Sequence, residues 1–149
     1  MVPWRMVEIP FEMLPDFAAR FVRDLPREAG AEAYVVGLRG ELGAGKTTFV
    51  QAVAKALGVS RIVTSPTFVI ARTYSISRPP FARLVHIDAY RLGPSEPDTI
   101  GWHAVAENPK NLVLIEWPER LSRFPAQAPV LRFEVSGPNT RSIAYEKEG

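Results

Sequence analysis

The sequence contains no cysteine and no long uninterrupted apolar run. Without cysteine, the chain can have no disulfide, no thiolate zinc site and no cysteine nucleophile. No run approaches the ~20 apolar residues that a membrane-spanning helix needs, and residues 1–5 lack the apolar core of a signal peptide. We therefore expect a cytoplasmic protein that does not enter a membrane.

The sequence also lacks a strong excess of charge of one sign. Lys and Arg number 18 against 16 Asp and Glu, which gives a net charge of +2. No basic run and no array of aromatic side chains is present, so the sequence gives little support for direct nucleic-acid binding. A length of 149 residues with 46% hydrophobic residues suits one sizeable core. We expect a single domain over residues 1–149.

A glycine-rich segment is the most informative feature of the chain. Residues 40–48 read Gly-Glu-Leu-Gly-Ala-Gly-Lys-Thr-Thr and follow the apolar segment 33–38, as in a phosphate-binding P-loop. Its glycines let the backbone turn so that successive amide N–H groups point at a phosphate. Lys46 would bring positive charge to the β- and γ-phosphates, and the Thr47 hydroxyl could bind Mg²⁺. The segment predicts nucleotide binding.

The order of secondary structure predicts the fold class. Apolar and β-branched runs predict strands at 6–10, 33–38, 68–76, 84–88, 111–117, 130–135 and 142–146. Helical spacing predicts strong helices after residues 15 and 46 and weaker ones at 95–107 and 119–124. So few helices cannot connect an all-parallel sheet, because each parallel connection needs a crossover. We predict an α/β, P-loop NTPase-like domain whose mixed, about seven-stranded sheet is flanked by helices, parallel around the P-loop and antiparallel at its hairpins.

Two carboxylates end apolar strands and are candidates for the site. Asp88 follows residues 84–87, and Glu116 follows residues 112–115. Since the nucleotide of a P-loop protein lies at the C-terminal ends of the strands, either side chain could hold Mg²⁺ or its waters. Position alone does not rank them, and either could instead point into solvent.

Other residues near these motifs carry weaker signals. Thr67 follows the P-loop helix, where P-loop proteins carry a hydroxyl that senses the γ-phosphate, although an ordinary turn is the alternative. His86 and Tyr90 share one side of the strand that carries Asp88, so either could face the nucleotide or pack, and packing is the favoured interpretation for His86. Trp117, beside Glu116, is placed to report on the site. The guanine-selective Asn-Lys-x-Asp motif is missing from the sequence, which favours ATP over GTP.

Four motifs in register resemble the TsaE (YjeE) family of bacterial ATPases: the P-loop and residues 64–68, 86–92 and 115–120. The resemblance implies an Mg²⁺-dependent ATPase required for threonylcarbamoyl modification of adenosine 37 in tRNA. It further implies an accessory to the TsaD–TsaB transferase complex that does not itself transfer the group, so that tRNA is involved only indirectly. Hydrolysis of ATP is then expected to be slow alone and stimulated by these partners.

Residue by residue, the resemblance implies catalytic roles for Lys46, Asp88, Glu116 and Thr67 and places Thr47, Glu116 and Asp88 around Mg²⁺. The nucleotide-binding residues that it implies are Phe11, Glu41, Leu42, Gly43, Ala44, Gly45, Lys46, Thr47, Thr48, Trp117, Glu119 and Thr140. Within this set, Phe11 and Thr140 would frame the adenine. The chain departs from the family pattern at Glu41, where aspartate is usual, and at residues 101–104, a stretch that could touch a partner.

Two other functions remain open from the sequence. The first is a small P-loop kinase acting on a metabolite, in which Arg72, Arg78 and Arg83 could contribute to a lid, although no compact lid insertion is evident. The second is a nucleotide-gated binding module, in which nucleotide occupancy alone changes a partner contact. In that case Asp88→Asn would abolish turnover and leave partner function intact.

Overall fold

A computed structural model describes residues 5–59, 71–90 and 101–147, and within these ranges a seven-stranded sheet forms the centre of the molecule. The strands are β1 Met6–Pro10, β2 Tyr34–Arg39, β3 Ala71–Arg78, β4 Phe81–Asp88, β5 Asn111–Glu116, β6 Pro129–Gly137 and β7 Thr140–Lys147. The helices of the described ranges are α1 Leu14–Arg23, α2 Lys46–Ala56 and α3 Trp102–Glu107, with 3₁₀ helices at Phe11–Met13 and Pro118–Arg120. The predicted α/β class and strand number are confirmed.

The sheet is mixed, in the order β1-β7-β6-β2-β5-β4-β3. Strand β2 pairs in parallel with β5 and β6, and β4 pairs in parallel with β5. The β1–β7, β6–β7 and β3–β4 pairs are antiparallel, as predicted for the hairpins. In the register of the parallel strands, Glu116 lies opposite both Leu38 and Asp88. The P-loop and both candidate carboxylates therefore emerge at the same edge of the sheet.

Helices α1 and α2 cover one face of the sheet. Phe49 of α2 is fully buried, and its ring lies 5.8 Å from Phe17, 5.3 Å from Phe21 and 5.4 Å from Phe133, measured between centroids. Burying one such side chain contributes roughly 1.5–3 kcal/mol to stability. This aromatic cluster fixes α2, and with it the P-loop, against the sheet.

A second core covers the opposite face around β4 and β5. Trp102 of α3 and Leu121 are buried there against Val113 and Ile115. A helix predicted at 119–124 is wrong: only the 3₁₀ turn Pro118–Arg120 forms. Leu121 ends that turn with extended backbone angles of φ −99° and ψ 106°. Because Leu121 is buried in this second core, tertiary packing overrides the local helical pattern.

The remaining differences concern boundaries. Of the strand predicted at 68–76, residues 68–70 lie outside the described part of the chain, as do residues 95–100 of the predicted helix 95–107. Strand β4 begins three residues earlier than predicted, at Phe81. Among the residues that the structure describes, no helix has the length and apolar character required to cross a bilayer.

Candidate functional site

The P-loop joins the end of β2 to the start of α2. Its first glycine, Gly40, has φ +144°, and a Cβ built on it would lie 2.5 Å from the Phe133 carbonyl oxygen, so no larger residue can turn here. The tip of the loop is exposed, with Leu42 at 83%, whereas Ala44 and Gly45 are buried. The first N–H groups of a helix have no partner within that helix, so the start of α2 makes this loop suitable for binding phosphate.

Lys46 is buried at the mouth of the loop, with 4% of its surface exposed. Its Nζ donates a hydrogen bond to the Gly40 carbonyl oxygen and lies 3.6 Å from the centroid of the Trp117 ring. Burial lowers the pKa of Lys46, while the carboxylates of Glu116, Glu119 and Asp88 act in the opposite direction. The loop therefore holds a shielded cation where the phosphates of a nucleotide would lie.

Thr47 and Glu116 are in direct contact. The Thr47 hydroxyl lies 3.1 Å from Oε1 and 3.2 Å from Oε2 of Glu116, which is 4% exposed. Asp88 is half-buried beside Glu116, and its Oδ1 accepts a hydrogen bond of 3.0 Å from the Tyr90 N–H. Of the two candidate carboxylates, Glu116 is the one that contacts the Thr47 hydroxyl.

The donor set at this point suits Mg²⁺. A hydroxyl and a carboxylate are hard oxygen ligands, and Mg²⁺ bound with a nucleotide takes its remaining ligands from phosphates and water. In the described ranges, no three or more His, Asp or Glu side chains cluster into an all-protein metal site. Thr47 and Glu116 could together hold such an ion, and the placing of Thr47, Glu116 and Asp88 around Mg²⁺ stays a prediction.

His86 was predicted to pack, and this interpretation is incomplete. Its side chain is fully buried, but its Nε2 lies 2.6 Å from Oε2 of Glu116. Period-two alternation placed His86 on the same strand face as Asp88. The parallel register of β4 and β5 brings it within reach of Glu116, and sequence spacing between the two residues gives no signal of this contact.

Aromatic rings close one side of the loop. Trp117 has φ 61°, a left-handed conformation that is uncommon for a residue with a large side chain, and its N–H donates to the Leu38 carbonyl at 3.1 Å. Its ring packs against Tyr90, with centroids 5.1 Å apart, and the Arg120 guanidinium lies 4.8 Å from the centroid of the Tyr90 ring. Lys46, Trp117, Tyr90 and Arg120 thus form a continuous stack leading outward from the P-loop.

A cleft of about 480 Å³ lies between the P-loop and β6. Ligand pockets commonly enclose about 300–1,000 Å³. Four of the predicted nucleotide-binding residues line the cleft together: Glu41, Ala44, Trp117 and Glu119. Glu119 also lies 3.7 Å from Nε of Arg39, a half-exposed ion pair at the rim.

A second group of residues meets the loop from the chain termini. The Phe11 N–H donates to the Asn139 carbonyl at 2.7 Å, and a Cβ built on Gly45 would lie 3.5 Å from the Phe11 ring. Thr140 accepts a hydrogen bond of 3.0 Å from the Ser136 hydroxyl. Arg141, which the sequence did not single out, lies 4.6 Å above the Phe11 ring with Nη2 3.5 Å from the Gly43 carbonyl oxygen. Phe11 and the terminal hairpin are thus neighbours of the P-loop, and their contact with adenine stays a prediction.

The site combines a P-loop, a strand-end carboxylate, a tryptophan and a terminal hairpin. A comparison with known protein families agrees with this arrangement. The family model described as threonylcarbamoyl adenosine biosynthesis protein TsaE matches residues 12–143. The chain belongs to the TsaE family.

Individual relatives agree with this assignment. A tRNA threonylcarbamoyladenosine biosynthesis protein TsaE from Synechocystis is 37% identical over 97 residues, which cover 62% of this chain and 59% of the relative. The protein of the same description from Bacillus subtilis is 34% identical over 116 residues, covering 77% of this chain and 70% of the relative. The crystal structure of Bacillus subtilis YdiB superposes with a TM-score of 0.64 and 25% identity, covering 97% of this chain and 87% of that one. The matched region is less than two thirds of the Synechocystis protein.

Among the remaining residues that the TsaE resemblance implies, Thr67 lies outside the described ranges and the others lie in or next to the P-loop. Thr67 lies outside the described residues together with the remainder of its motif, so its role as a γ-phosphate sensor stays a prediction. Thr48 is half-buried in the first turn of α2, next to Thr47. Glu41, Leu42 and Gly43 form the exposed part of the loop.

Two of the arginines considered for a kinase lid lie far from the P-loop. Arg83 Nε donates to Asn111 Oδ1 at 2.9 Å, and these residues lie near the starts of the strands that end at Asp88 and Glu116. Arg78 donates to carbonyl oxygens that follow or end α1, those of Val22, Leu25 and Pro26. Neither arginine is near the edge of the sheet where phosphate would bind.

Proposed function

We propose that this chain is an Mg²⁺-dependent ATPase of tRNA threonylcarbamoyladenosine synthesis that serves a TsaD–TsaB transferase complex and does not transfer the group itself. The observation that carries the proposal is the contact between Thr47 and Glu116 beside the buried Lys46. Membership of the TsaE family supports the pathway. The partners and the indirect involvement of tRNA follow from the family resemblance.

In this proposal each group has one task. Lys46 and the loop amides bind the β- and γ-phosphates, and the Thr47 hydroxyl and Glu116 carboxylate hold Mg²⁺. When bound, the ion neutralises negative charge that builds up on the phosphates during transfer. Asp88, beside Glu116 at the strand ends, orients the attacking water. Trp117 covers Lys46 and limits the access of bulk water to it.

Dependence on partners has a physical reason. Phosphoryl transfer relies on positioned charges, and P-loop proteins that lack one of these charges hydrolyse nucleotide slowly until a partner supplies it. Two of the three lid candidates, Arg78 and Arg83, form hydrogen bonds at the opposite end of the strands. This position favours an ATPase over a kinase that closes its own arginine-bearing lid.

The test is ATP hydrolysis by the purified chain, alone and with TsaD–TsaB from the same organism. We expect the partners to stimulate hydrolysis and Lys46→Ala to reduce it at least about 100-fold, since loss of one charge-stabilising group commonly costs that much. Lys55→Ala is the matched control, because Lys55 is an exposed lysine in the last turn of the same helix.

Two other outcomes would redirect the assignment. If the chain binds ATP but the partners leave its rate of hydrolysis unchanged, the accessory role is contradicted. The kinase alternative would then be tested by measuring phosphoryl transfer to a panel of small acceptors. An Asp88→Asn variant that hydrolyses no ATP but still supports modification of tRNA would replace the ATPase proposal with a nucleotide-gated binding module.

A further inference from the structure

His86 lies in the interior of the sheet, directly beneath the proposed Mg²⁺ site. Its side chain is 0% exposed, and its Nε2 lies 2.6 Å from Oε2 of Glu116. Its other ring nitrogen, Nδ1, has no hydrogen-bond partner within residues 5–59, 71–90 and 101–147. Within the described part of the chain, the contact with Glu116 is therefore the single hydrogen bond of this imidazole.

Packing alone does not account for a histidine at this position. The neighbouring residue in the register of β5 is Leu114, and Leu84 lies one pleat earlier on the same strand face; both are fully buried. Burying a polar nitrogen that has no hydrogen-bond partner is unfavourable. An apolar side chain would fill the same space without that cost. The hydrogen bond to Glu116 is what a histidine adds here.

The acceptor of that bond is the carboxylate that also contacts Thr47. Oε2 of Glu116 lies 2.6 Å from His86 Nε2 and 3.2 Å from the Thr47 hydroxyl, and Oε1 lies 3.1 Å from the same hydroxyl. With hydrogen on Nε2, the imidazole donates to Oε2, and Nδ1 is an acceptor for which the described part of the chain supplies no donor. The carboxylate is therefore held from the core side while its oxygens face the start of α2.

We propose that His86 is a positioning residue that orients the Glu116 carboxylate for Mg²⁺. Ligating carboxylates are commonly held by hydrogen bonds from outer groups, and loss of such a group typically weakens metal affinity 10- to 100-fold. The inference rests on the proposed function, because it takes Thr47 and Glu116 as the Mg²⁺ partners. A purely structural role, in which His86 only satisfies a buried carboxylate, would alter stability without altering metal affinity.

The test compares three substitutions of His86. Glutamine can place an amide N–H near the position of Nε2, asparagine is equally polar but too short to reach Glu116, and leucine removes the donor. Binding of Mn²⁺, as a paramagnetic substitute for Mg²⁺, is measured by EPR on the ADP-bound protein. We expect 10- to 100-fold weaker Mn²⁺ binding in His86→Asn and His86→Leu and a change of less than about threefold in His86→Gln.

Matched controls separate metal binding from nucleotide binding and from folding. The chain has two histidines, and His103 is exposed, with its Nε2 3.1 Å from Glu107 on the surface of α3. We expect His103→Gln to bind Mn²⁺ like the unsubstituted protein. Affinity for ADP in EDTA should be unchanged in every variant, and circular dichroism at the assay temperature identifies those that are folded.

A second measurement needs no substitution at His86. Because only two histidines contribute, a ¹H–¹⁵N spectrum of the imidazole rings can be assigned with His103→Gln alone. We expect adding Mg²⁺ to the ADP complex to shift the His86 Nε2 signal and leave that of His103 in place, since a bound cation draws electron density from Glu116.

The outcomes distinguish this inference from the proposed function. A folded His86→Leu variant with unchanged Mn²⁺ affinity, or a His86 signal that Mg²⁺ leaves unmoved in a saturated complex, would overturn the positioning role alone. An unsubstituted protein that binds neither ADP nor Mn²⁺ would overturn the positioning role together with the proposed function.

Discussion

Replacing Gly37 by alanine would place a methyl group where the sheet has no room for one. Gly37 lies in β2, between Ile115 of β5 and Val130 of β6, so the strand cannot move aside. The new Cβ would lie 2.8 Å from Pro118 Cγ and 2.9 Å from Phe124 Cζ. Carbon atoms in contact normally lie about 3.5–4.0 Å apart, so these side chains would have to retreat by roughly 0.6–1.2 Å.

The expected cost follows from two opposing effects. Overfilling a packed interior costs about 1–3 kcal/mol, and replacing glycine within a strand recovers roughly 0.5–1 kcal/mol of backbone entropy. We therefore expect Gly37→Ala to lower the free energy of unfolding by about 1–2 kcal/mol. For a chain of this size the midpoint of thermal unfolding falls by about 2–8 °C.

The same substitution should also affect the site. Pro118 directly follows Trp117, whose N–H is bonded to Leu38, the residue after Gly37. Displacing Pro118 therefore moves the indole ring, which lies 3.6 Å from Lys46 Nζ. We expect weaker ATP binding together with a changed tryptophan fluorescence spectrum.

The assays are urea unfolding followed by circular dichroism and calorimetric titration with ATP. Gly30→Ala is the matched control, because a Cβ at Gly30 meets one atom at 3.8 Å and the residue has no positive φ. We expect that control to be as stable as the unsubstituted protein. If Gly37→Ala were equally stable and bound ATP with unchanged affinity, the proposed coupling between β2 and Trp117 would be refuted.

Three further substitutions test other parts of the structure. Burial lowers the pKa of Lys46 in the folded protein below its ordinary 10.5. At pH values between the folded and the unfolded pKa, the unfolded chain holds more protons, so the free energy of unfolding of the protein should rise with pH. Urea unfolding at a series of alkaline pH values up to 10.5 should show that Lys46→Met lacks this contribution, and equal pH slopes in the two proteins would contradict it. Gly40→Ala should cost about 2–5 kcal/mol in the same assay through its φ of +144° and its clash with the Phe133 carbonyl; a cost below 1 kcal/mol would be inconsistent with that clash. Arg78→Met should cost about 1–3 kcal/mol through lost hydrogen bonds to carbonyls at the end of α1, with ATP affinity unchanged; a large loss of affinity would instead support a lid role.

Most of the fold could be predicted from local patterns. Alternating and continuous apolar runs located the strands, and the excess of strands over helices predicted a mixed sheet. The segment 119–124 was predicted wrongly because burial of Leu121 in the second core outweighs its helical spacing. Contacts between residues far apart in the chain decide the conformation at such positions, and a short stretch of sequence does not contain both residues of such a contact.

The candidate site, like the fold, could be predicted from the sequence only in part. Lys46 and Thr47 could be located from one contiguous motif whose spacing reflects the geometry of phosphate binding. Asp88 and Glu116 could be located as strand ends, but the sequence did not rank them. The two carboxylates differ in their contact with Thr47, because the position of α2 over the sheet puts the Thr47 hydroxyl next to Glu116.

The sequence by itself determined the P-loop, the mixed sheet and the resemblance to the TsaE family, because each depends on residue types at short, fixed spacings. Only the tertiary structure decided that His86 bonds Glu116 and that Arg141 lies over Phe11 beside the loop. These pairs are 30 and 130 residues apart, and strand register and helix packing alone bring them together. Hydrogen bonds and ring contacts act over a few ångströms, so they depend on that three-dimensional arrangement.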